Sequence, residues 1–300
     1  MGITASFSGT IFPLSQIIFS SFLLRFFFSC ILCLMHKKWK VKEQVSDDLE
    51  EQLCFARGLK TEEEKEKFLI PNYEKGLHDP FLMKDMGKAV KRILRAISQN
   101  EKVIVYGDYD ADGICSAAIF HIFFKKIGFE NFEVHIPVRN KEGYGLNLEI
   151  IDVFKEKNVD LIITIDCGIS DYDEIEKANG YGMDVVVLDH HLEPEKLPNA
   201  FAVVDTKQKK DKYPFEFLSG AGIAFKTVEA ILEKGDFNVV DSWSKWLLEM
   251  VCLATVADMV PLTDENRVLV SFGLQVLKKT FRPGLLALFE QQRINKKNIT

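Results

Sequence analysis

Carboxylates and imidazoles follow directly after several short apolar runs of this 300-residue sequence. Such runs predict buried strands, and in an open parallel sheet ligands bind beyond the carboxyl ends of the strands. We therefore expect these side chains to gather at one edge of a sheet. The residues are Asp108, Asp110 and Asp112 after the run that ends at Tyr106, Asp166 after Ile165, His190 and His191 with Asp189 after Leu188, and Asp258 at the end of an apolar helix.

The chemistry of these groups points to a metal site. Carboxylate oxygens together with imidazole suit Mn²⁺, with Mg²⁺ as a second choice, and Zn²⁺ fits less well because no cysteine cluster accompanies them. Each group also has an ordinary interpretation when it is taken alone: Asp166 as a helix N-cap, the two histidines as surface residues, and Asp258 as a helix-end carboxylate. Their joint occurrence at strand ends favours the metal site.

Two other kinds of site are disfavoured by the local pattern. The stretch 108–113 matches the opening of a calcium-binding EF-hand loop, but the twelfth loop position is Ile119, where a bidentate glutamate is required. The segment 143–145 lacks the third glycine of a dinucleotide-binding fingerprint, and the sequence contains no Gly-Lys-Ser/Thr of a P-loop. Dinucleotide-dependent redox chemistry and nucleoside-triphosphate chemistry are therefore disfavoured.

The elements that must position these groups alternate along the chain. Strands are predicted at 102–106, 132–138, 160–165, 184–188 and 200–204, and helices at 86–97, 116–127, 148–157 and 172–179. This alternation predicts an α/β fold, a doubly wound parallel sheet with flanking helices. A helical lead-in precedes it, and a helical C-terminal part follows from residue 219, with helices at 243–256 and 267–279.

The chain divides into four predicted regions: a hydrophobic leader at 1–34, a helical lead-in at 35–100, a catalytic domain at 101–290 and a connector at 291–300. The leader holds an almost wholly apolar run at 11–35, followed by basic residues at 36–42. Three interpretations stand side by side: a misassigned start with Met35 as the true start, a membrane anchor, and a signal-like segment. A membrane is an expected partner only if the leader is real.

Composition limits the class of protein. The 47% hydrophobic content predicts a properly buried core, and a formal net charge of −6 counts against a self-sufficient nucleic-acid binder. Six scattered cysteines without a framework pattern indicate reduced thiols and a cytoplasmic protein. These cysteines are Cys30, Cys33, Cys54, Cys115, Cys167 and Cys252.

Four motifs in order resemble those of the DHH phosphoesterase superfamily. They are Asp110-Ala111-Asp112 with Ser116, Thr164 to Gly168, Asp189-His190-His191, and Ala257-Asp258. Within that superfamily, further segments resemble the RecJ-like single-strand DNA exonucleases, and the resemblance covers roughly residues 36–290. These segments are 56–58, 68–71, 79–80, 105–110, 143–145, 219–226, 255–262 and 265–267.

The resemblance implies a two-metal exonuclease that hydrolyses single-stranded DNA from 5′ to 3′ in repair and recombination, with two Mn²⁺ or Mg²⁺ ions. Single-strand-binding protein and a helicase are partners that the resemblance suggests. It also implies a role for each residue. Asp166 bridges both ions, Asp110 and Asp112 each lie toward one ion, His190 and Asp258 complete the second, and Asp108 completes the first. His191 contacts the phosphate or assists proton transfer.

Two further residues each have two alternative roles. Arg139 follows a predicted strand and either pairs with a phosphate or makes a structural salt bridge, and Ser116 either orients the first motif or caps its helix. The family pattern continues into a C-terminal substrate domain that has no counterpart in these 300 residues. Two alternative functions therefore stay open: a phosphoesterase for short oligonucleotides or cyclic dinucleotides, and an inactive scaffold fragment.

Overall fold

Five short runs rich in valine and isoleucine form the sheet that carries the candidate site. The computed structural model describes residues 5–7, 10–12 and 43–299. The strands of the sheet all run parallel, in the spatial order β4-β3-β5-β6-β7. They are β3 (Val103–Gly107), β4 (Phe132–His135), β5 (Leu161–Ile165), β6 (Asp184–Leu188) and β7 (Ala202–Val204).

The register of the sheet makes its carboxyl ends level. Gly107 pairs with Ile165, Ile165 with Leu188, and Leu188 with Val204. The next residue of each of the four strands is an aspartate, so four aspartates stand in a row along this edge. They are Asp108, Asp166, Asp189 and Asp205.

Helices cover both faces of the sheet, which confirms the predicted doubly wound fold. Val103 and Val105 pack in one core with α3, α4 and α7, whereas Ile104 and Tyr106 pack in a second core with α5 and α6. Alternate residues of a strand point to opposite faces, so one run serves two cores. The helices are α3 (Met86–Gln99), α4 (Ala111–Ile127), α5 (Leu148–Glu156), α6 (Tyr172–Gly180) and α7 (Gly220–Lys234).

The C-terminal part is helical, as predicted. It contains a 3₁₀ helix at Trp243–Leu247, then α8 (Leu248–Ala257), α9 (Asp264–Leu277) and α10 (Pro283–Gln291), and a last 3₁₀ turn at Lys296–Asn298. The lead-in before the sheet holds α2 (Glu62–Leu69) and a 3₁₀ turn at Pro80–Leu82 ahead of α3. Helix α2 begins with a capping box in which Thr61 and Glu64 bond each other's backbone N–H.

Residues 1–60 form a compact unit separate from 61–300. In this unit, β1 (Ala5–Phe7) pairs with β2 (Thr10–Phe12) as an antiparallel hairpin, and α1 (Leu49–Ala56) starts after the N-cap Asp48. The predicted leader lies largely outside the described residues. Within the described part of the chain, no helix is both long enough and apolar enough to cross a bilayer.

Several predicted boundaries were wrong, among them the following three. Helix α4 starts at Ala111 instead of 116, because Asp110 caps it. Strand β4 ends at His135 instead of 138, two residues before Pro137, which has no N–H to offer the sheet. Helix α9 starts at Asp264, three residues before its predicted start.

A buried ion pair ties the lead-in to the helical part. Lys226 on α7 and Glu265 on α9 lie 2.8 Å apart, with side chains at most 1% exposed. Glu265 also accepts hydrogen bonds from the backbone N–H of His78, at 2.8 Å, and from the Tyr213 hydroxyl. The Lys226 ammonium donates to the His78 carbonyl as well. We call these four residues the ion-pair cluster.

Candidate metal centre

The first motif turns back on itself directly after β3. Asp110 is the N-cap of α4, and its Oδ1 accepts hydrogen bonds from the backbone N–H groups of Asp112 and Gly113, both at 2.9 Å. Asp108 lies at the strand end and is 5% exposed, whereas Asp110 is exposed. The cap places Asp112 in the first helical turn, where its side chain is buried.

Both carboxylate oxygens of Asp112 meet the amino end of α7. Oδ2 accepts from the N–H of Gly220 and Oδ1 from the N–H of Ala221, each at 2.7 Å. The free N–H groups and the dipole at the start of a helix favour a negative charge. Ser116 is fully buried and donates to the Asp112 carbonyl at 2.7 Å. Ser116 therefore holds Asp112, and its predicted capping role is corrected because Asp110 is the cap.

Asp166 follows β5 in a strained backbone conformation. Its φ is 62°, in the left-handed region that costs a non-glycine residue about 1 to 2 kcal/mol. Its N–H bonds the Leu188 carbonyl of β6, which fixes this geometry. Burial, with the nearby carboxylates of Asp112, Asp110 and Asp189, raises the pKa of Asp166 to about 10. Strain of this kind is typical of functional sites.

Asp189 anchors the two histidines that follow it. Its Oδ1 accepts from the N–H of His190 at 2.8 Å and lies 2.7 Å from Nδ1 of His191, while Oδ2 accepts from the N–H of Ile169. Burial acts to raise the pKa of Asp189, but these bonds lower it below its usual value. The same carboxylate raises the pKa of His191. Sequence reasoning did not assign Asp189 a role of its own.

His190 lies at the centre of the site. Its Nε2 is 3.0 Å from Oδ1 of Asp166, 3.6 Å from Oδ2 of Asp112 and 3.8 Å from Oδ2 of Asp258. Three sets of three residues each offer ligand atoms that lie within 4.8 Å of one another. One set is Asp108, Asp110 and Asp166, and a second is Asp112, His190 and Asp258; His191 forms a third set with Asp166 and His190.

These donors fit divalent metal ions. Oδ1 of Asp108 is buried without a hydrogen-bond partner, although buried polar atoms are normally paired. Burial also raises the pKa of Asp108 and Asp112, with neighbouring carboxylates adding to the effect. The site therefore holds more buried carboxylate oxygens than its hydrogen-bond donors satisfy, and a bound cation would stabilise it.

Tyr144 reaches the site from the loop before α5. Its hydroxyl donates to the Asp166 carbonyl at 3.2 Å and lies 3.3 Å from Nδ1 of His191. The loop is fixed by Asp171, whose carboxylate accepts from the N–H of Leu146 at 2.7 Å. Sequence reasoning missed Tyr144, although the glycines on either side of it, both at positive φ, mark a tight turn.

Arg139 lies on the surface beside the first motif. Its guanidinium stands over the ring of Tyr109, 5.2 Å from the ring centroid. It also acts to lower the pKa of Asp108. Within residues 43–299 it forms no salt bridge, so the structural alternative for Arg139 finds no support there.

Comparison with known proteins decides the family. A family model described as "DHH family, N-terminal domain" matches residues 102–255, a span that contains every motif except the last. The chain belongs to the DHH family. The predicted limits of the catalytic domain, 101–290, extend beyond this match and stay a prediction.

Relatives of this DHH chain include RecJ proteins. It is 40% identical over 238 residues to the single-stranded-DNA-specific exonuclease RecJ of Bacillus subtilis, covering 79% of this chain and 29% of the relative. It also matches a Mn²⁺ complex of Thermus thermophilus RecJ, with a TM-score of 0.64, 27% identity, and coverage of 81% of this chain and 33% of that one. The chain thus spans about a third of the length of these relatives.

Proposed function

We propose that this chain is a metal-dependent exonuclease that hydrolyses the phosphodiester bonds of single-stranded DNA. One observation carries the proposal: carboxylates and a histidine from three strand ends and one helix end form two sets of ligand atoms, each within 4.8 Å. Its relatives are named single-stranded-DNA-specific exonucleases, which supports single-stranded DNA as the substrate.

Two Mn²⁺ or Mg²⁺ ions would be held by the two sets. Asp108, Asp110 and Asp166 would hold one ion, and Asp112, His190 and Asp258 the other. Asp166 is the natural shared ligand, because its Oδ1 is also 3.0 Å from Nε2 of His190 in the second set. Bound there, such ions lower the pKa of an attacking water and offset the charge of the scissile phosphate. A solved RecJ structure that is 30% identical is bound to manganese.

His191 is the group best placed to act on the phosphate. Its side chain is 47% exposed, and its hydrogen bond to Asp189 raises the pKa of the ring, which favours the imidazolium. An imidazolium at the rim can donate a hydrogen bond to a phosphate oxygen or a proton to the leaving oxygen. Arg139 supplies a second cation for the substrate backbone, because its guanidinium can pair bidentately with a phosphate.

The surroundings of the site also suit unpaired nucleobases. Leu192, directly after His191, is 81% exposed, and Met259, directly after Asp258, is 87% exposed. Apolar side chains in such positions can contact bases that are not hidden in a duplex. The ring of Tyr144, half exposed, adds an aromatic face beside them.

Several finer parts of this proposal rest on the resemblance to RecJ-like exonucleases. They are the 5′ to 3′ direction, the role in repair and recombination, and partnership with single-strand-binding protein and a helicase. A cytoplasmic location is supported by the four described cysteines, which are all unbonded thiols.

A second candidate is a phosphoesterase for short oligonucleotides or cyclic dinucleotides. The net charge of −6 favours it, because affinity for a long strand comes largely from phosphate contacts with basic residues. A short substrate needs only the metal centre, His191 and Arg139. The same assay can separate the two candidates.

The test is Mn²⁺-dependent release of nucleotides from 5′-labelled single-stranded DNA by the whole chain, beside a labelled dinucleotide. We expect digestion of the long strand, at least a 10³-fold loss with Asp166→Ala, since a metal ligand contributes several kcal/mol, and full activity with Asp173→Ala, an exposed carboxylate on α6. Cleavage of the dinucleotide alone would favour the second candidate. Full activity of Asp166→Ala would overturn both.

A further inference from the structure

The row of strand-end aspartates contains one member with no assigned role. Asp205 follows β7 and stands beside Asp189, because Leu188 pairs with Val204 in the parallel register. Neighbouring strands lie about 4.8 Å apart. Asp205 is therefore one strand spacing from the residue that precedes His190, yet it belongs to neither set of ligand atoms.

Asp205 is fully buried and half satisfied. Its exposure is 0%, and Oδ1 accepts from the N–H of Lys207 at 2.7 Å. Oδ2 has no hydrogen-bond partner. The loop that carries it is fixed by two bonds, from Thr206 to the Glu216 carbonyl at 3.0 Å and from Gln208 to the Val203 carbonyl at 2.8 Å. A buried carboxylate oxygen held in place without a donor calls for one.

His190 has the complementary deficit. Its Nε2 faces the carboxylates of the metal centre, but its Nδ1 is buried without a partner. The adjacent Asp189 is already engaged elsewhere, because its Oδ1 takes His191 and the N–H of His190, and its Oδ2 takes the N–H of Ile169. The two residues stand at the same edge of the sheet, because the N–H of Asp189 donates to the Val204 carbonyl at 3.0 Å, and His190 and Asp205 are the next residues of these two strands.

We propose that Asp205 is a positioning residue for His190: the Nδ1–H of the imidazole donates to one bound water, which in turn donates to Oδ2 of Asp205. The proton then resides on Nδ1, and Nε2 is left with a free lone pair toward Asp112, Asp166 and Asp258. Metal-binding histidines generally donate their other ring N–H in this way, which fixes both the tautomer and the ring plane. The inference rests on the proposed metal centre and adds a residue behind it.

The loss of such a hydrogen-bond partner has a known effect on metal affinity. Removing the carboxylate behind a metal-binding histidine weakens metal affinity about 10- to 100-fold. Asp205→Leu removes the acceptor while keeping the branched shape of the side chain, and it also relieves the burial of a carboxylate, so the fold should persist. Asp205→Asn keeps an amide oxygen that can accept the same bond, and we expect it to recover most of the affinity.

The control is Thr164→Val, which is nearly isosteric. Thr164 is fully buried two residues before Asp166, and its Oγ1, like Oδ2 of Asp205, is buried without a hydrogen-bond partner. If any lost polar atom near the site weakened metal binding, this variant would do so too. We expect its affinity for Mn²⁺ to match that of the wild type.

The experiment uses the whole chain and two readouts. Isothermal titration with Mn²⁺ gives the affinity, and ¹⁵N NMR of the metal-free protein gives the tautomer of His190, assigned by comparison with His190→Gln. We expect an Nδ1–H tautomer in the wild type, a changed His190 signal in Asp205→Leu, and affinities in the order wild type, Asp205→Asn, Asp205→Leu.

The possible failures are distinguishable. If the wild type binds Mn²⁺ and Asp205→Leu binds it equally well, this inference is overturned and the metal centre stands. An Nε2–H tautomer of His190 in the wild type also overturns it, and this result needs no folded variant. If the wild type does not bind Mn²⁺ at millimolar concentration, the proposed metal centre fails and the role of Asp205 fails with it.

Discussion

Two regions of this molecule bury carboxylates and treat them in opposite ways. In the ion-pair cluster, Glu265 meets the Lys226 ammonium, the N–H of His78 and the Tyr213 hydroxyl. At the metal centre, Asp108, Asp112 and Asp166 are also at most 5% exposed, but they crowd one another. The first cluster is satisfied by its own protein groups, and the second is not. A buried carboxylate therefore does not indicate function by itself. Buried carboxylates that lack enough hydrogen-bond donors or cations do.

The strongest test of this contrast removes the cation of the ion-pair cluster. Lys226→Met leaves Glu265 buried without its cation, which costs about 3 to 5 kcal/mol of unfolding free energy. We expect urea denaturation to show this loss, while the fraction that remains folded keeps its affinity for Mn²⁺. A parallel loss of metal affinity would mean that the two clusters are one system.

The reverse prediction concerns the metal centre. Saturating Mn²⁺ should raise the unfolding free energy of the wild type by about 2.7 kcal/mol at a concentration of 100 times Kd. Because the pKa of Asp166 is raised to about 10, Asp166→Asn in EDTA near neutral pH replaces one neutral side chain with another. We therefore expect this variant to be no less stable than the wild type in EDTA and to gain little from Mn²⁺. Thermal unfolding with and without metal measures both effects. A strongly destabilised metal-free variant would show that Asp166 is structural.

A pair of glycines tests how tightly the helical part confines the centre. A Cβ on Gly220 would lie 2.8 Å from Cβ of Asp166, whereas a Cβ on Gly222 would meet only the flexible side chain of Leu218, at 3.2 Å. Displacement of a catalytic group by about 1 Å can cost about 10²-fold. We expect Gly220→Ala to lose nuclease activity on this scale. Gly222→Ala is the matched variant and should keep most of its activity.

Asp171 is an intermediate case, a half-buried carboxylate with one backbone donor. Burial raises its pKa to about 6, so the folded protein holds this proton more tightly than the unfolded chain does. Its contribution to stability is present below pH 4 and is lost as the pH rises through 6. Asp171→Asn stays neutral, so its stability relative to the wild type should rise over this interval.

Urea denaturation at a series of pH values in EDTA measures that difference. Asp173→Asn, two residues further along α6 and exposed, is the matched control and should follow the wild type. A constant difference between Asp171→Asn and the wild type across the interval would show that the proton on Asp171 has no part in stability.

Much of this arrangement was predictable because strand ends coincide with chemistry. The β-branched runs before Asp108, Asp166 and Asp189 identify buried parallel strands, and parallel strands bring their carboxyl ends to one edge. The family comparison and the sheet confirm the fold class. The roles of single site residues were inferred from spacing and resemblance, and the assay on Asp166→Ala tests them.

The other features of the fold and the site depend on contacts that no local sequence pattern predicts. The start of α4 was missed because Asp110 and Gly113 look like a loop, whereas the Asp110 carboxylate caps the helix. Tyr144 reaches Asp166 from 22 positions earlier in the chain. Asp205 escaped notice because only a three-residue strand precedes it, and a lysine-rich stretch follows.

The bonds from Gly220 and Ala221 to Asp112 span more than 100 residues. Asp258 lies further along still, so ribosomal synthesis delivers the last part of the centre well after the first. At about 5 to 20 residues per second, several seconds separate Asp166 from Asp258. A nascent chain during that interval has strands but no complete centre. Chain order thus delays completion of the proposed metal centre until the sheet and the helical part have both been made.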